Sequence, residues 1–164
     1  MTWILDGPGG AAIVRGPRAE TLANDQVAIR LLADADDTHG ALSTQRVTLR
    51  GGVDGAAPHR HQQSTEMFYV LGGSVDLLAG DEVTTVTSGD LIVVPPDLPH
   101  AFAASKGHDA DLLIVITPGV ERFEYFRHLA RIAIGAEPAE SILAVQERYD
   151  NYFVDSNAWR LARS

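Results

Sequence analysis

From residue 59 to residue 117 the chain is a succession of short runs rich in Val, Ile, Leu and Thr, cut apart by tight turns. The runs are His59–His61, Glu66–Leu71, Ser74–Ala79, Glu82–Thr87, Leu91–Val94, Ala101–Ala103 and Leu112–Thr117; the breaks carry Gly-Gly, Gly-Asp, Ser-Gly-Asp and Pro-Pro. Runs of this length at this spacing define an all-β fold, either a sandwich or a small antiparallel β-barrel. Gly72-Gly73 and Gly80-Asp81 both have the composition of tight hairpin loops. Two more runs, Gln26–Leu32 and Leu42–Leu49, precede this region and are parted by the acidic turn Asp34–Gly40.

Chemistry is concentrated at two places in the same region. Pro58-His-Arg-His-Gln-Gln-Ser-Thr-Glu66 is answered by Pro95-Pro-Asp-Leu-Pro-His100. His59 and His61 lie two apart, so on a strand both imidazoles leave the same face. The polar stretch 62–65 is short enough to be a turn bringing the strand of Glu66 alongside that of His59, and His100 begins a later strand behind a proline-rich bend. A barrel can gather these three imidazoles and one carboxylate around one divalent ion. A mixed His/Glu set suits Mn, Fe, Co, Ni, Cu or Zn better than Ca or Mg, which take mostly oxygen ligands. The remaining histidines, His39 and His108 in polar turns and His128 in a helix-forming segment, are expected to be solvated.

Composition narrows the alternatives. A chain of 164 residues builds one domain with a substantial core. The formal charge of −9 excludes a nucleic-acid or anionic-membrane partner as the expectation, because phosphate binding needs a basic surface. There is no cysteine, which removes thiolate ligands, disulfides and cysteine nucleophiles. Lys106 is the sole lysine and sits in a polar loop, a poor place for a Schiff base. Met1–Asp6 has neither a basic region nor a long apolar run, and Leu112–Ile116 is too short to span a bilayer, so the expected location is cytoplasmic.

Outside the strand-rich region the chain changes character. Residues 1–39 read as an arm, irregular at first with one short strand around Ala11–Val14; residues 40–118 are the barrel; residues 119–164 are helical. From Val120 to Ile134, Phe123, Phe126, Ala130 and Ala133 recur at helical steps, and Gly135–Pro138 ends that helix. Ser141 is placed to cap a second helix running to about Tyr152. The aromatic residues here are expected to pack on the barrel. An exposed edge strand from the arm, together with these helices, points to a homodimer.

The two ligand-bearing stretches resemble the two cupin motifs. In Val53-Asp-Gly-Ala-Ala-Pro-His59-Arg-His61-Gln-Gln-Ser-Thr-Glu66-Met-Phe-Tyr-Val-Leu-Gly-Gly73, the His-x-His, the Glu and the following Gly stand at the first motif's positions, with Val53 in place of its leading Gly and Gly52 one residue earlier. Gly89-Asp-Leu-Ile-Val-Val-Pro95-Pro-Asp-Leu-Pro-His100 resembles the second motif, with Asp97 where a Gly is usual and Ala104 where an Asn is usual. The resemblance spans residues 40–118 and implies a cupin jelly-roll barrel followed by C-terminal α-helices, with His59, His61, Glu66 and His100 as metal ligands. The full ligand set and the ending Thr117-Pro-Gly-Val-Glu-Arg-Phe-Glu-Tyr-Phe126 are most similar to single-domain, quercetin 2,3-dioxygenase-like cupins.

That likeness implies a dioxygenase acting on a flavonol-like, aromatic or polyketide-type enol with O₂, using Fe, Mn, Ni or Co, with Zn as a further possibility. Glu66 is then either a permanent ligand or the base that takes the substrate's hydroxyl proton. Alternation along the strands turns Phe68 and Val70 inward with Glu66, and Phe102 inward with His100, as the walls of an apolar substrate pocket. Two other readings are carried forward: a non-redox metal-dependent cyclase, isomerase or lyase, and a ligand-binding cupin without turnover.

Overall fold

The computed structural model describes residues 4–6 and 8–164, so the reading of Met1–Asp6 as free of a leader lies partly outside it. Its first strands are β1 (Ile4–Asp6), β2 (Ala12–Val14), β3 (Thr21–Ala23), β4 (Val27–Ala33) and β5 (Ser43–Leu49). Then come β6 (Asp54–Arg60), β7 (Thr65–Ala79), β8 (Glu82–Thr87), β9 (Leu91–Val94), β10 (His100–Ala104) and β11 (Ala110–Thr117). The C-terminal part holds α1 (Phe123–Ala133), α2 (Gln146–Tyr149), β12 (Tyr152–Phe153) and α3 (Asn157–Arg163). No described helix is long and apolar enough to cross a membrane.

Strands β3 to β12 form one curled antiparallel sheet, and the long strand β7 serves both of its layers. Residues 66–69 of β7 lie between β9 and β11, and β11 leads on to β5, β4 and β3. Residues 75–79 lie between β8 and β10, beyond which come β6 and β12. This is the antiparallel β fold that the strand pattern implies. The core sits between the layers, where Leu49, Phe68, Val70, Leu77, Leu112 and Ile114 are almost wholly buried. Alternation makes this possible, since along β11 residues 110, 112, 114 and 116 face in while their neighbours are more exposed.

Three local expectations change. Gly72-Gly73 is not a hairpin: β7 runs straight through it, and the pairing with β11 shifts register at Asp111/Leu112. Gly73 has φ 78, and a Cβ there would lie 1.9 Å from the Asp109 carbonyl oxygen, so the pair forms a bulge where the strand passes from one layer to the other. Gly80-Asp81 is the expected two-residue hairpin, joining Ala79 to Glu82. Nor do β6 and β7 lie side by side, because β10 is inserted between them. Finally, Ser141 caps no helix: residues 139–145 form a 3₁₀ stretch, α2 is a single turn, and Tyr152 and Phe153 extend the sheet against β6.

Helix α1 forms as its periodicity dictates and packs Phe123, Tyr125 and Phe126 against Leu31, Ile142 and Tyr149. Asp34 receives its N-terminus, accepting from the Arg122 and Phe123 backbone N–H groups at 2.8 and 3.2 Å. Helix and C-terminal strand together lie over one mouth of the curled sheet. The candidate site is beneath them.

Candidate metal centre

His100 opens β10 directly opposite His59 of β6, and Glu66 enters at the start of β7 from the other layer, paired with Val94 and Ile116. His61 follows the last residue of β6, in the link to β7. Two layers and one connection therefore converge on a point, and the four ligand atoms all lie within 4.8 Å of one another. Exposure of His59, His61, Glu66 and His100 is 3, 2, 3 and 1%. Glu66 Oε2 lies 2.6 Å from His100 Nε2, 3.1 Å from His61 Nε2 and 3.9 Å from His59 Nε2.

The other nitrogen of each ring shows what the cluster is built to hold. His59 Nδ1–H donates to the Ala57 carbonyl at 2.7 Å, His61 Nδ1–H to the Asp150 carbonyl at 2.6 Å, and His100 Nδ1–H to the Leu98 carbonyl at 2.9 Å. With Nδ1 so occupied, each ring turns its Nε2 toward the Glu66 carboxylate, where protons bridge the pairs in metal-free protein and a metal ion would take their place. A buried group of four electron-pair donors is satisfied by a cation, and backbone anchoring of the distal nitrogen is how metal-ligating imidazoles are oriented. The donor set thus fits a divalent first-row transition ion. Burial, reinforced by the fields of His100 and His61, pushes the His59 imidazole well below its usual 6.5, toward the neutral form a ligand needs. Burial alone would raise Glu66, but attraction to His61 and the hydrogen bond from His100 outweigh it and hold the carboxyl well below 4.5.

Neighbouring residues lock the loops that carry these ligands. Asp150 accepts the Gln62 and Gln63 N–H groups at 2.8 and 3.0 Å, while its own carbonyl receives His61. Asp150 adopts φ 46, a left-handed conformation that Asp tolerates better than most residues. Sequence reasoning missed it; an Asp-Asn pair at a helix end was the available signal. Asp97 also has a left-handed φ of 65, the backbone reason a Gly suits that position. Its N–H donates to the His61 carbonyl at 2.7 Å and its carboxylate pairs with Arg60 at 2.6 Å, tying the two ligand-bearing stretches together.

His39 and His108 are exposed, as expected. His128 is not: it is buried, with Nε2 2.7 Å from Ser141 Oγ and 2.8 Å from Glu137 Oε2, because the 3₁₀ stretch folds over α1.

A cavity of about 170 Å³ opens beside the cluster, with His59 and Glu66 in its wall. Val47, Phe102 and Ile114 line it from the sheet, while Arg122, Tyr125 and Phe126 line it from the C-terminal part. Of the residues expected as pocket walls, Phe102 is there, whereas Phe68 and Val70 lie wholly within the core. Phe68 supports the site from behind, 5.4 Å from the Phe102 ring and 6.1 Å from His100. The C-terminal aromatics Tyr125 and Phe126 both pack and line the cavity, a second duty that their helical spacing did not disclose.

Comparison with known proteins agrees with this architecture. Residues 45–116 match the cupin domain model. An uncharacterized protein of Streptomyces coelicolor is 27% identical over 100 residues, spanning 61% of this chain and 88% of that protein. Among solved structures, a predicted oxalate decarboxylase from Thermotoga maritima aligns with TM-score 0.57 at 20% identity over 64% of this chain and 97% of its own. The polyketide cyclase RemF from Streptomyces resistomycificus gives 0.55 at 21% identity over 65% and 78%. A Streptomyces nucleoside dehydratase gives 0.54 at 16% identity over 66% and 82%. At these identities the likeness is one of fold. Residues 45–116 are thus similar to cupin domains in sequence and fold, and the three histidines and one glutamate form a candidate site for a divalent metal.

Proposed function

We propose that this chain is a metal-dependent enzyme that removes a proton from a small, largely apolar substrate. One observation carries the reading: Glu66 is a buried carboxylate, drawn into a cluster of three imidazoles, that also forms part of the wall of an apolar cavity. A divalent ion held by His59, His61, Glu66 and His100 would supply Lewis acidity toward a substrate oxygen and, if Fe, Mn, Ni or Co, redox capacity toward O₂. Glu66 is ionised and reaches the cavity, so it is placed to accept a proton there. The base role calls for a raised carboxyl; because the imidazoles hold it below 4.5 instead, the proton it takes is one that the metal would acidify. Phe102, Val47 and Ile114 keep water from the reacting groups. Tyr125 is buried in the cavity wall; burial, with the negative charge of Glu66, outweighs the opposing pull of Arg122 and raises its hydroxyl above 10.0, so it keeps its proton.

The finer reaction follows from the sequence resemblance, which implies dioxygenation of an aromatic or polyketide-type enol. Cavity size bears on which enol: a dry cavity of about 150 Å³ takes one benzene ring, and this one measures about 170 Å³. A single-ring enol fits, and a three-ring flavonol extends beyond it. A non-redox lyase or cyclase is the second reading, supported by the dehydratase and the polyketide cyclase among structures of the same fold. Oxygen-electrode assays with single-ring enols separate the two, since turnover with O₂ uptake supports the first and turnover without it the second. For either, Glu66→Gln lowers kcat by about 10²–10⁴-fold while part of the metal is retained. Unchanged turnover in that variant contradicts the proton-transfer role.

A further inference from the structure

The wall of the same cavity contains polar atoms that neither the metal cluster nor the fold uses. Arg122 is 3% exposed and has no carboxylate in salt-bridge range among the described residues. Its guanidinium faces the rings of Tyr125 at 4.2 Å and Phe126 at 5.1 Å, its hydrogen bond to Asn151 Oδ1 is long at 3.4 Å, and its Nε has no partner. Asn151 Nδ2 is likewise buried without a partner, as is Oε1 of Gln45, which is 1% exposed on β5. Arg122 and Gln45 both line the cavity. Asp34 accepts from the Arg122 and Phe123 backbone N–H groups at the start of α1, and Glu66, in the same cavity wall, is drawn to the imidazoles.

A buried cation without a counter-ion is costly, and buried polar atoms without partners are rare enough to need a reason. Aromatic rings stabilise a guanidinium only in part. Loading the metal adds positive charge to the same cavity, since one carboxylate does not neutralise a divalent ion. What completes this wall is an anion with a flat pair of oxygens, matched to the planar donor fork of arginine.

We propose that Arg122, with Gln45 beside the cavity and Asn151 behind it, forms a subsite for a carboxylate, so that the substrate is a ring-sized organic acid. Arg122 donates to the carboxylate oxygens, Asn151 Oδ1 holds the guanidinium from behind, and Gln45 Oε1 accepts from a hydroxyl or N–H on the same molecule. The identity of this acid as substrate rests on the proposed function; the subsite does not.

Benzoate and its uncharged isostere nitrobenzene test it by calorimetry, using the full-length protein both zinc-loaded and metal-free, with metal content measured on each sample. Native protein is expected to bind benzoate at least about tenfold more tightly than nitrobenzene, the scale of a charged hydrogen bond, and Arg122→Gln to lose that preference. Gln45→Glu, nearly isosteric, sets a negative charge in the same wall and is expected to lose it too, which answers the question if Arg122→Gln fails to fold. Equal binding of the two probes by native protein overturns the subsite. So does a preference that survives both substitutions and vanishes on zinc removal, because the carboxylate then sits at the metal. An Arg122-dependent preference in protein that takes up no zinc supports the subsite while removing the metal-enzyme reading.

Discussion

Glu66 is where the demands on individual residues meet. It is ionised despite burial because imidazoles surround it, and this fixes the sign of its pH dependence. Its folded-state pKa is depressed, so the stability it contributes to metal-free protein is complete above the ordinary 4.5 and is lost as pH falls through the lower folded value. Thermal midpoints of metal-free protein should fall in that acid window, and Glu66→Gln should flatten the fall; parallel curves would contradict the assignment. Asp150 acts on the site through the backbone, holding residues 62 and 63 and receiving His61. Asp150→Ala should weaken metal binding by about tenfold or more, the usual cost of losing a ligand's support, as read by competition with a chromophoric chelator. An unchanged affinity would show that the His61 link is held without it. The four residues of the cluster were legible in the sequence because His-x-His, the following Glu and Pro-x-x-x-His are local patterns. Asp150 and Arg122 were not, because Asp150 meets Gln62 across 88 positions of chain and Arg122 joins the cavity wall from beyond the last long strand.

At the scale of elements, β7 joins the layers and Gly73 lets it do so. An alanine there meets both a positive φ and the Asp109 carbonyl, so Gly73→Ala should cost about 3 kcal/mol or more. Urea unfolding measures this, and a loss below about 1 kcal/mol would mean the bulge relaxes freely. The same glycine pair explains the hairpin that sequence reasoning expected. Gly-Gly between two apolar runs specifies a left-handed residue, and both a tight turn and a bulge satisfy that; only the pairing with β11 decides. The second C-terminal helix failed for a related reason. Tyr152 and Phe153 carry no helical contradiction of their own, and they become a strand because Arg60 and His59 offer an open edge. Strands with internal alternation, such as β5 and β11, were read nearly to their ends.

The molecule as a whole is a curled sheet holding a metal-ligand cluster at its centre, with a C-terminal cover whose side chains complete the cavity. Sequence patterns disclosed the sheet and the cluster, which are repetitive and local, but not the cavity, whose wall is assembled from β4, β5, β6, β7, β10, β11, β12 and α1. The central claim is that the cluster binds a transition metal, and elemental analysis by plasma mass spectrometry of purified, reconstituted protein tests it most directly, with His59→Ala alongside. The account predicts about one equivalent of a first-row ion per chain, largely absent from the variant. A native protein that takes up no metal under these conditions, or a variant that retains it fully, would contradict the account.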